Sequence, residues 1–243
     1  MKTSLNESKN NFKNNQVKQV TNYYFTNIFE NIQMFIMKTI QIIINLIKDI
    51  KPLLFLGPSG VGKDTIINRL IEKYPNVFYK LPSYTTRPKR PGEKEGIDYF
   101  FINEEEFHKM EKEEKLFGIK KYNNNYYASN KGLLKELINK NDRIIILNYN
   151  IETVYSIKNE IDFNCVAIMP PQEDELKKRL IRRGGKPEEI DKRMKNSIEE
   201  IKLINEANDI INYRVVNDDI DICLNKLMEY IKASYPQFFV NKA

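Results

Sequence analysis

Residues 57–65 read Gly-Pro-Ser-Gly-Val-Gly-Lys-Asp-Thr. Gly57, Gly60 and Gly62 permit a backbone turn whose N–H groups converge on an anion, and Lys63 adds an ammonium that can reach the outer phosphates of a nucleotide. The apolar run "LLFL" ahead of the loop predicts a strand, and the polar run from Asp64 to Lys73 predicts a helix whose positive end faces the same place. Strand, loop and helix in that order are what a phosphate site needs; the glycines alone would only be a turn. Asp64 stands where a serine or threonine hydroxyl ordinarily meets magnesium. Its carboxylate can ligate that ion or, without it, repel phosphate, and Thr65 next to it supplies a hydroxyl.

A second set lies in "SYTTRPKRPGEKEGIDYFF", residues 83–101. Arg87 and Arg90 stand in a segment that Pro88 and Pro91 keep out of helix, so their guanidinium forks can converge on one oxyanion, with Tyr99 adding a hydroxyl. A third cationic run, "LKKRLIRRGGKPEEIDKRM", reads on its own as a solvated helix face.

These residues need a frame, and the chain alternates apolar strand-like runs with polar helical ones. The strand candidates are "LLFL", "VFYKL", "YFFI", "YNNNYYA", "RIIILNY", "FNCVAIM" and "YRVVN". Helices are predicted after the loop and around 104–115, 131–140, 152–159, 173–182, 187–207 and 219–232. The alternation predicts an α/β domain with a mainly parallel sheet flanked by helices. At 243 residues the chain can bury one good core. A formal charge of +6 suits a polyanion, and nucleotides satisfy that as well as nucleic acid does; no nucleic-acid partner is expected. Cys165 and Cys223 form no spaced metal or redox pair, which points to a reducing compartment, the cytoplasm. His108, the one histidine, falls in a polar helical run, so histidine chemistry is not expected.

Residues 1–50 differ from the rest, first Asn- and Lys-rich, then apolar ("IFENIQMFIMKTIQIIINLIKDI") with polar interruptions at Glu30, Asn31, Gln33, Lys38 and Gln41. The pattern predicts an amphipathic helix against the domain or a membrane surface; an organellar targeting sequence and a membrane span are the alternatives.

The motifs "GPSGVGK", "SYTTRPKRPGEKEGIDYFF", "NNNYYAS", "IMPPQEDELKKRLIRRG" and "VVNDD", in that order, closely resemble guanylate kinase over Pro52 to about Ile231. The resemblance implies a P-loop NTPase-type fold with an inserted acceptor-binding lobe (about 82–130), a helical lid (about 180–196) and a kinase domain over 51–235. It implies transfer of a phosphoryl group from ATP to GMP with magnesium as cofactor. It puts ATP on Gly57, Pro58, Ser59, Gly60, Val61, Gly62, Lys63, Asp64 and Thr65, with Asn217 and Asp218 at the adenine end and Asp64 and Thr65 toward the metal. The acceptor falls to Arg87, Arg90, Tyr99 and Tyr127 at its phosphate, with Ser83 facing the base and Asn150 nearby. Catalytic charge comes from Lys63, Arg87, Arg179, Arg183 and Arg193. Adenylate kinases carry Gly-Lys-Gly-Thr, so Gly-Lys-Asp-Thr need not be a dead loop.

Counting back from "NYYAS" without a gap, the family's guanine-reading glutamate falls on Gly118, which offers no acceptor for the base. Where the family reads "ILDID" this chain has "ILNYN", so Asn148 and Asn150 replace two aspartates; Ala128 replaces a glycine. Losing a charged hydrogen bond costs about 1.5–3 kcal/mol, roughly ten- to a hundredfold in discrimination. The phosphate-binding residues are all retained, which favours an active kinase with relaxed guanine preference. Two alternatives stand beside it: a ribose 1,5-bisphosphate phosphokinase, which has no base to read, and an inactive interaction module, which has no need of Lys63 and the arginines.

Overall fold

The computed structural model describes residues 26, 28–40, 50–122, 124–182, 184 and 186–239. The chain forms two units, Met1–Lys48 and Asp49–Ala243. In the first, residues 28–40 are helical (α1) and exposed, Phe35 and Met37 among them. Among the described residues no helix is long and apolar enough to cross a membrane. The rest of the predicted leader helix lies outside the described residues.

The second unit is built on a five-stranded, all-parallel sheet in the order β2-β7-β1-β8-β9. Its strands are β1 (Leu53–Leu56), β2 (Phe78–Lys80), β7 (Ile144–Asn148), β8 (Asn164–Met169) and β9 (Tyr213–Val216). A central parallel strand covered on both faces must be apolar throughout, and every residue of β1 is buried. Leu53 and Phe55 pack on one side with Ile66, Ile67, Leu227 and Ile231; Leu54 and Leu56 pack on the other with Leu134, Leu137, Val154 and Ile157. That period-two division assigns α2 (Lys63–Lys73) and α8 (Ile220–Ser234) to one face, and α4 (Lys131–Lys140) and α5 (Ile151–Ile157) to the other. The remaining helices are α3 (Glu104–Lys112), α6 (Glu173–Arg182) and α7 (Pro187–Glu206). Side chains fix several helix starts: Asn103 accepts from the Glu106 N–H at 2.8 Å, and Asn130 from the Leu133 N–H at 2.9 Å.

A second sheet, β4-β3-β6-β5, uses β3 (Ser83–Thr85), β4 (Tyr99–Phe101), β5 (Leu116–Tyr122) and β6 (Asn125–Asn130). Here the structure corrects the sequence reading. "YNNNYYA" is the junction of two antiparallel strands, with Asn124 at φ 60°, and "SYT" is a strand despite the prolines that follow. The second sheet is mixed: β3 pairs with β4 in parallel and with β6 antiparallel. Phe107, Leu116 and Ala128 form its own small core. Cys165 and Cys223 are buried free thiols, and His108 sits on α3 beside Glu111 at 2.8 Å.

Candidate active site

The site collects at the carboxyl ends of the parallel strands, where open α/β sheets leave their crevice. The loop after β1 turns through Gly57, Gly60 and Gly62, all at positive φ. Gly62, at φ 99°, admits no side chain, since a Cβ there would lie 2.6 Å from Asn217 Nδ2. That amide nitrogen donates to the Val61 carbonyl at 2.7 Å, and the Asn217 N–H donates to the Met169 carbonyl at 2.8 Å, so the residue after β9 braces the loop from behind. Asn217 is 5% exposed, so its contact with the loop is a buried one. Lys63 reaches back across the loop to the carbonyls of Gly57 and Pro58. Ser197 of α7 donates to the Ser59 carbonyl at 3.4 Å.

Asp64 and Thr65 occupy the first turn of α2, both exposed. Asp64 Oδ1 accepts from Asn148 Nδ2 at 3.0 Å, which leaves its second oxygen without that partner. The amide in place of an aspartate at 148 therefore faces a carboxylate with a donor, where two acids would repel. A carboxylate and a hydroxyl one residue apart are hard oxygen donors of the kind magnesium takes while keeping water and phosphate as its other ligands.

On the second sheet Arg87 is clamped. Its guanidinium donates to both oxygens of Glu93 at 2.9 and 2.7 Å, and lies over the rings of Tyr99 at 5.2 Å and Phe101 at 5.7 Å. The Arg90 N–H donates to the same carboxylate at 2.8 Å, while Arg90 itself is exposed. Glu93 thus ties both arginines into one turn. Bonding to Arg87, then to the Arg90 N–H, pulls the Glu93 carboxyl down to about 2; bonding to Glu93 raises Arg87 further. Tyr127 meets Tyr99 edge-on at 6.0 Å, and burial, then Tyr127 and Asp64, push the Tyr99 phenol up.

Ser83 Oγ lies 3.2 Å from Ser129 Oγ, which accepts from the Tyr149 hydroxyl at 2.6 Å. Asn150, at the start of α5, accepts from Thr153 Oγ1 at 2.6 Å and donates to Glu152 at 3.1 Å. Gly118 lies in a β-bulge between Phe117 and Lys120, at φ 61°, and a Cβ there would meet Thr153 Cγ2 at 3.0 Å.

Arg179 on α6 donates to the carbonyls of Asn217 at 2.9 Å and Asp218 at 3.3 Å, so the residues expected at the adenine end meet this arginine through their backbone. Arg193 sits on α7; Arg183 lies outside the described residues. Glu200 on the same helix is a residue the sequence reading did not single out. Burial raises its carboxyl, against the pull of Lys63 and the Ile151 N–H, and its Oε1 is buried with no partner among the described residues. Glu93, Ser129 and Tyr149 were also given no role; Glu93 alone had a signal, an acid three residues after Arg90 in a proline turn.

A parallel sheet with a glycine-lysine loop after its first strand, a cationic helix–turn–helix arm and a lobe carrying an arginine–tyrosine cluster define a P-loop nucleotide kinase. The guanylate kinase family model matches residues 49–234. Guanylate kinase of Oceanobacillus iheyensis is 34% identical over 189 residues, covering 76% of this chain and 89% of the relative. That of Blochmanniella floridana is 39% identical over 178 residues, covering 72% and 82%. The crystal structure of guanylate kinase from Anaplasma phagocytophilum superposes with a TM-score of 0.60 at 25% identity, covering 77% of this chain and 88% of that one. The chain belongs to the guanylate kinase family and is a nucleotide kinase of that type.

Proposed function

We propose that this chain transfers the terminal phosphoryl group of ATP to a purine nucleoside monophosphate, with GMP as the reference acceptor. The observation that carries the reading is the pairing of two anion sites. The loop around Lys63 is braced by Asn217, and on the second sheet Glu93 orders Arg87 over Tyr99, which meets Tyr127 edge-on. In-line transfer needs two phosphates held end to end with their charge offset, and no covalent intermediate. An acceptor phosphate oxygen attacks the terminal phosphorus, the bond to the bridging oxygen breaks, and ADP leaves with that electron pair. Lys63 and the loop N–H groups bear on the donor side, and Arg87 and the tyrosine hydroxyls on the acceptor side. Arg179 and Arg193 belong to the arm that would add positive charge at the moment of transfer, a role the family resemblance also gives to Arg183. Asp64 and Thr65 would hold magnesium, which neutralises the donor phosphates when bound.

Arg87→Ala is expected to raise the KM for GMP roughly ten- to a hundredfold with the KM for ATP little changed, because only one phosphate loses its charged partner. Equal weakening toward both substrates would contradict the division into two sites.

A further inference from the structure

The phosphate loop is built to take an anion, yet the side chain that follows Lys63, in the first turn of α2, is the carboxylate of Asp64. Two rigid elements fix where that acid stands. The Ile66 N–H donates to the Gly62 carbonyl at 3.0 Å, which closes the first turn of α2 and sets Asp64 directly after the loop. On the sheet, Asn148 ends β7 in register with Phe55 of β1, and the Tyr149 N–H donates to the Phe55 carbonyl at 3.2 Å. From this ladder Asn148 Nδ2 reaches Asp64 Oδ1 at 3.0 Å. An ionised carboxylate only accepts, so the amide must meet it with its NH2 group, and chemistry settles the direction of the bond.

That contact orients Asp64 without neutralising it. An amide carries no net charge and engages one carboxylate oxygen of the two, so a negative charge stays beside the loop. The positive end of α2 favours that charge while the loop holds no anion. Incoming phosphates reverse the balance, because like charges repel. Asp64 is exposed, so solvent screens the repulsion, which leaves it at roughly tenfold in affinity. With a divalent cation the sign changes again: the carboxylate becomes a hard oxygen ligand, and the exposed Thr65 hydroxyl next to it is a second oxygen donor. Neither Asp64 nor Asn148 is the residue that the family resemblance gives to its position, so the pair is a property of this chain.

We propose that the Asp64–Asn148 pair makes the loop selective for metal-complexed ATP: Asp64 repels the bare nucleotide and ligates the divalent cation that ATP carries, and Asn148 holds Asp64 for that ligation. Asn148 is a positioning residue in this scheme, since it touches Asp64 and not the nucleotide. The proposal rests on the phosphotransferase reading above, and it adds a selection made at binding, before any transfer.

The test is the Kd of ATP for the full chain, by titration calorimetry at fixed ionic strength and without acceptor, once with excess magnesium and once in EDTA. The parent is expected to bind ATP at least about a hundredfold more tightly with magnesium, a strong coupling between two ligands. In Asp64→Asn the two constants move in opposite directions. ATP in EDTA binds roughly tenfold more tightly than to the parent, because the repulsion is gone, and ATP with magnesium binds roughly tenfold more weakly, because a ligand is gone. Asn148→Ala keeps the acid and loses its holder. Ligation depends on direction and repulsion on charge, so this variant weakens binding with magnesium roughly three- to tenfold and leaves binding in EDTA within about twofold of the parent. Asp64→Ser, at the same exposed position, carries the test if Asp64→Asn does not fold.

A parent that binds ATP equally well with and without magnesium overturns the proposal. So does an Asp64→Asn protein in which both constants weaken together, the signature of a residue that only keeps the loop in shape. An Asn148→Ala protein that matches the parent in both conditions also overturns it. If ATP binds under neither condition, the phosphotransferase reading falls, and this proposal with it.

Discussion

Glu93 is the residue on which the acceptor side turns, because it orders an arginine expected to bind phosphate and the backbone of a second. The side chains of the pair are 10% exposed for Arg87 and 19% for Glu93, so the contact is shielded from solvent and aligned for two bonds. The folded-state pKa of Glu93 is pulled from 4.5 to about 2. A depressed carboxyl contributes stability that is fully present above its unfolded pKa and is lost as pH falls through the folded one. The turn over residues 87–93 should therefore hold at neutral pH and loosen as pH falls from about 4.5 to about 2. Glu93→Gln should abolish that acid transition, read by the chemical shift of the Arg90 amide. It should also raise the acceptor KM roughly tenfold by leaving Arg87 unheld. An acid transition of the same size in Glu93→Gln would show that another carboxylate sets it.

Elements position these groups, and two of them carry consequences. The turn into α2 depends on Gly62, whose φ of 99° and lack of a Cβ let Asn217 reach the Val61 carbonyl. Gly62→Ala should cost about 1–3 kcal/mol in urea unfolding and weaken ATP binding, since both the backbone strain and the clash fall on the loop. Helix α7 carries the opposite situation in Glu200, a buried carboxyl with an unpartnered oxygen and a raised pKa. A raised carboxyl contributes stability below its unfolded pKa and loses it as pH rises through the folded value. Glu200→Gln should therefore raise Tm at neutral pH and make little difference in acid, and a Tm difference independent of pH would contradict the assignment.

At this scale the sequence was informative in proportion to how continuous the pattern is. "LLFL", "RIIILNY" and "FNCVAIM" each hold at least four consecutive apolar residues, and they became β1, β7 and β8 within a residue or two. The second sheet was half legible: "SYT" is too short to alternate, and "LFGIKKY" is broken by the bulge at Gly118, so β3 and β5 left no periodic trace. The phosphate loop could be read because its residues are contiguous. The Tyr149–Ser129–Ser83 contacts could not, because they join β3, β6 and the residue after β7, which only folding brings together.

The chain divides into two compact units, the second beginning at Asp49, and the family match begins at residue 49. Deleting residues 1–48 should leave a folded enzyme with kcat unchanged within about twofold and a Tm within about 3 °C, since among the described residues the core clusters draw theirs from Ile50 onward. Insoluble or unfolded protein would assign the leader to the core. The central claim, that retained phosphate sites make this an active nucleotide kinase, is tested most directly by coupled ADP release. The assay runs magnesium-ATP against GMP, dGMP, AMP and ribose 1,5-bisphosphate, with Lys63→Ala as the blank. The account predicts strong ADP release with GMP that vanishes in the blank. No acceptor-dependent release above that blank, or phosphorylation of the sugar phosphate and not of GMP, would contradict it.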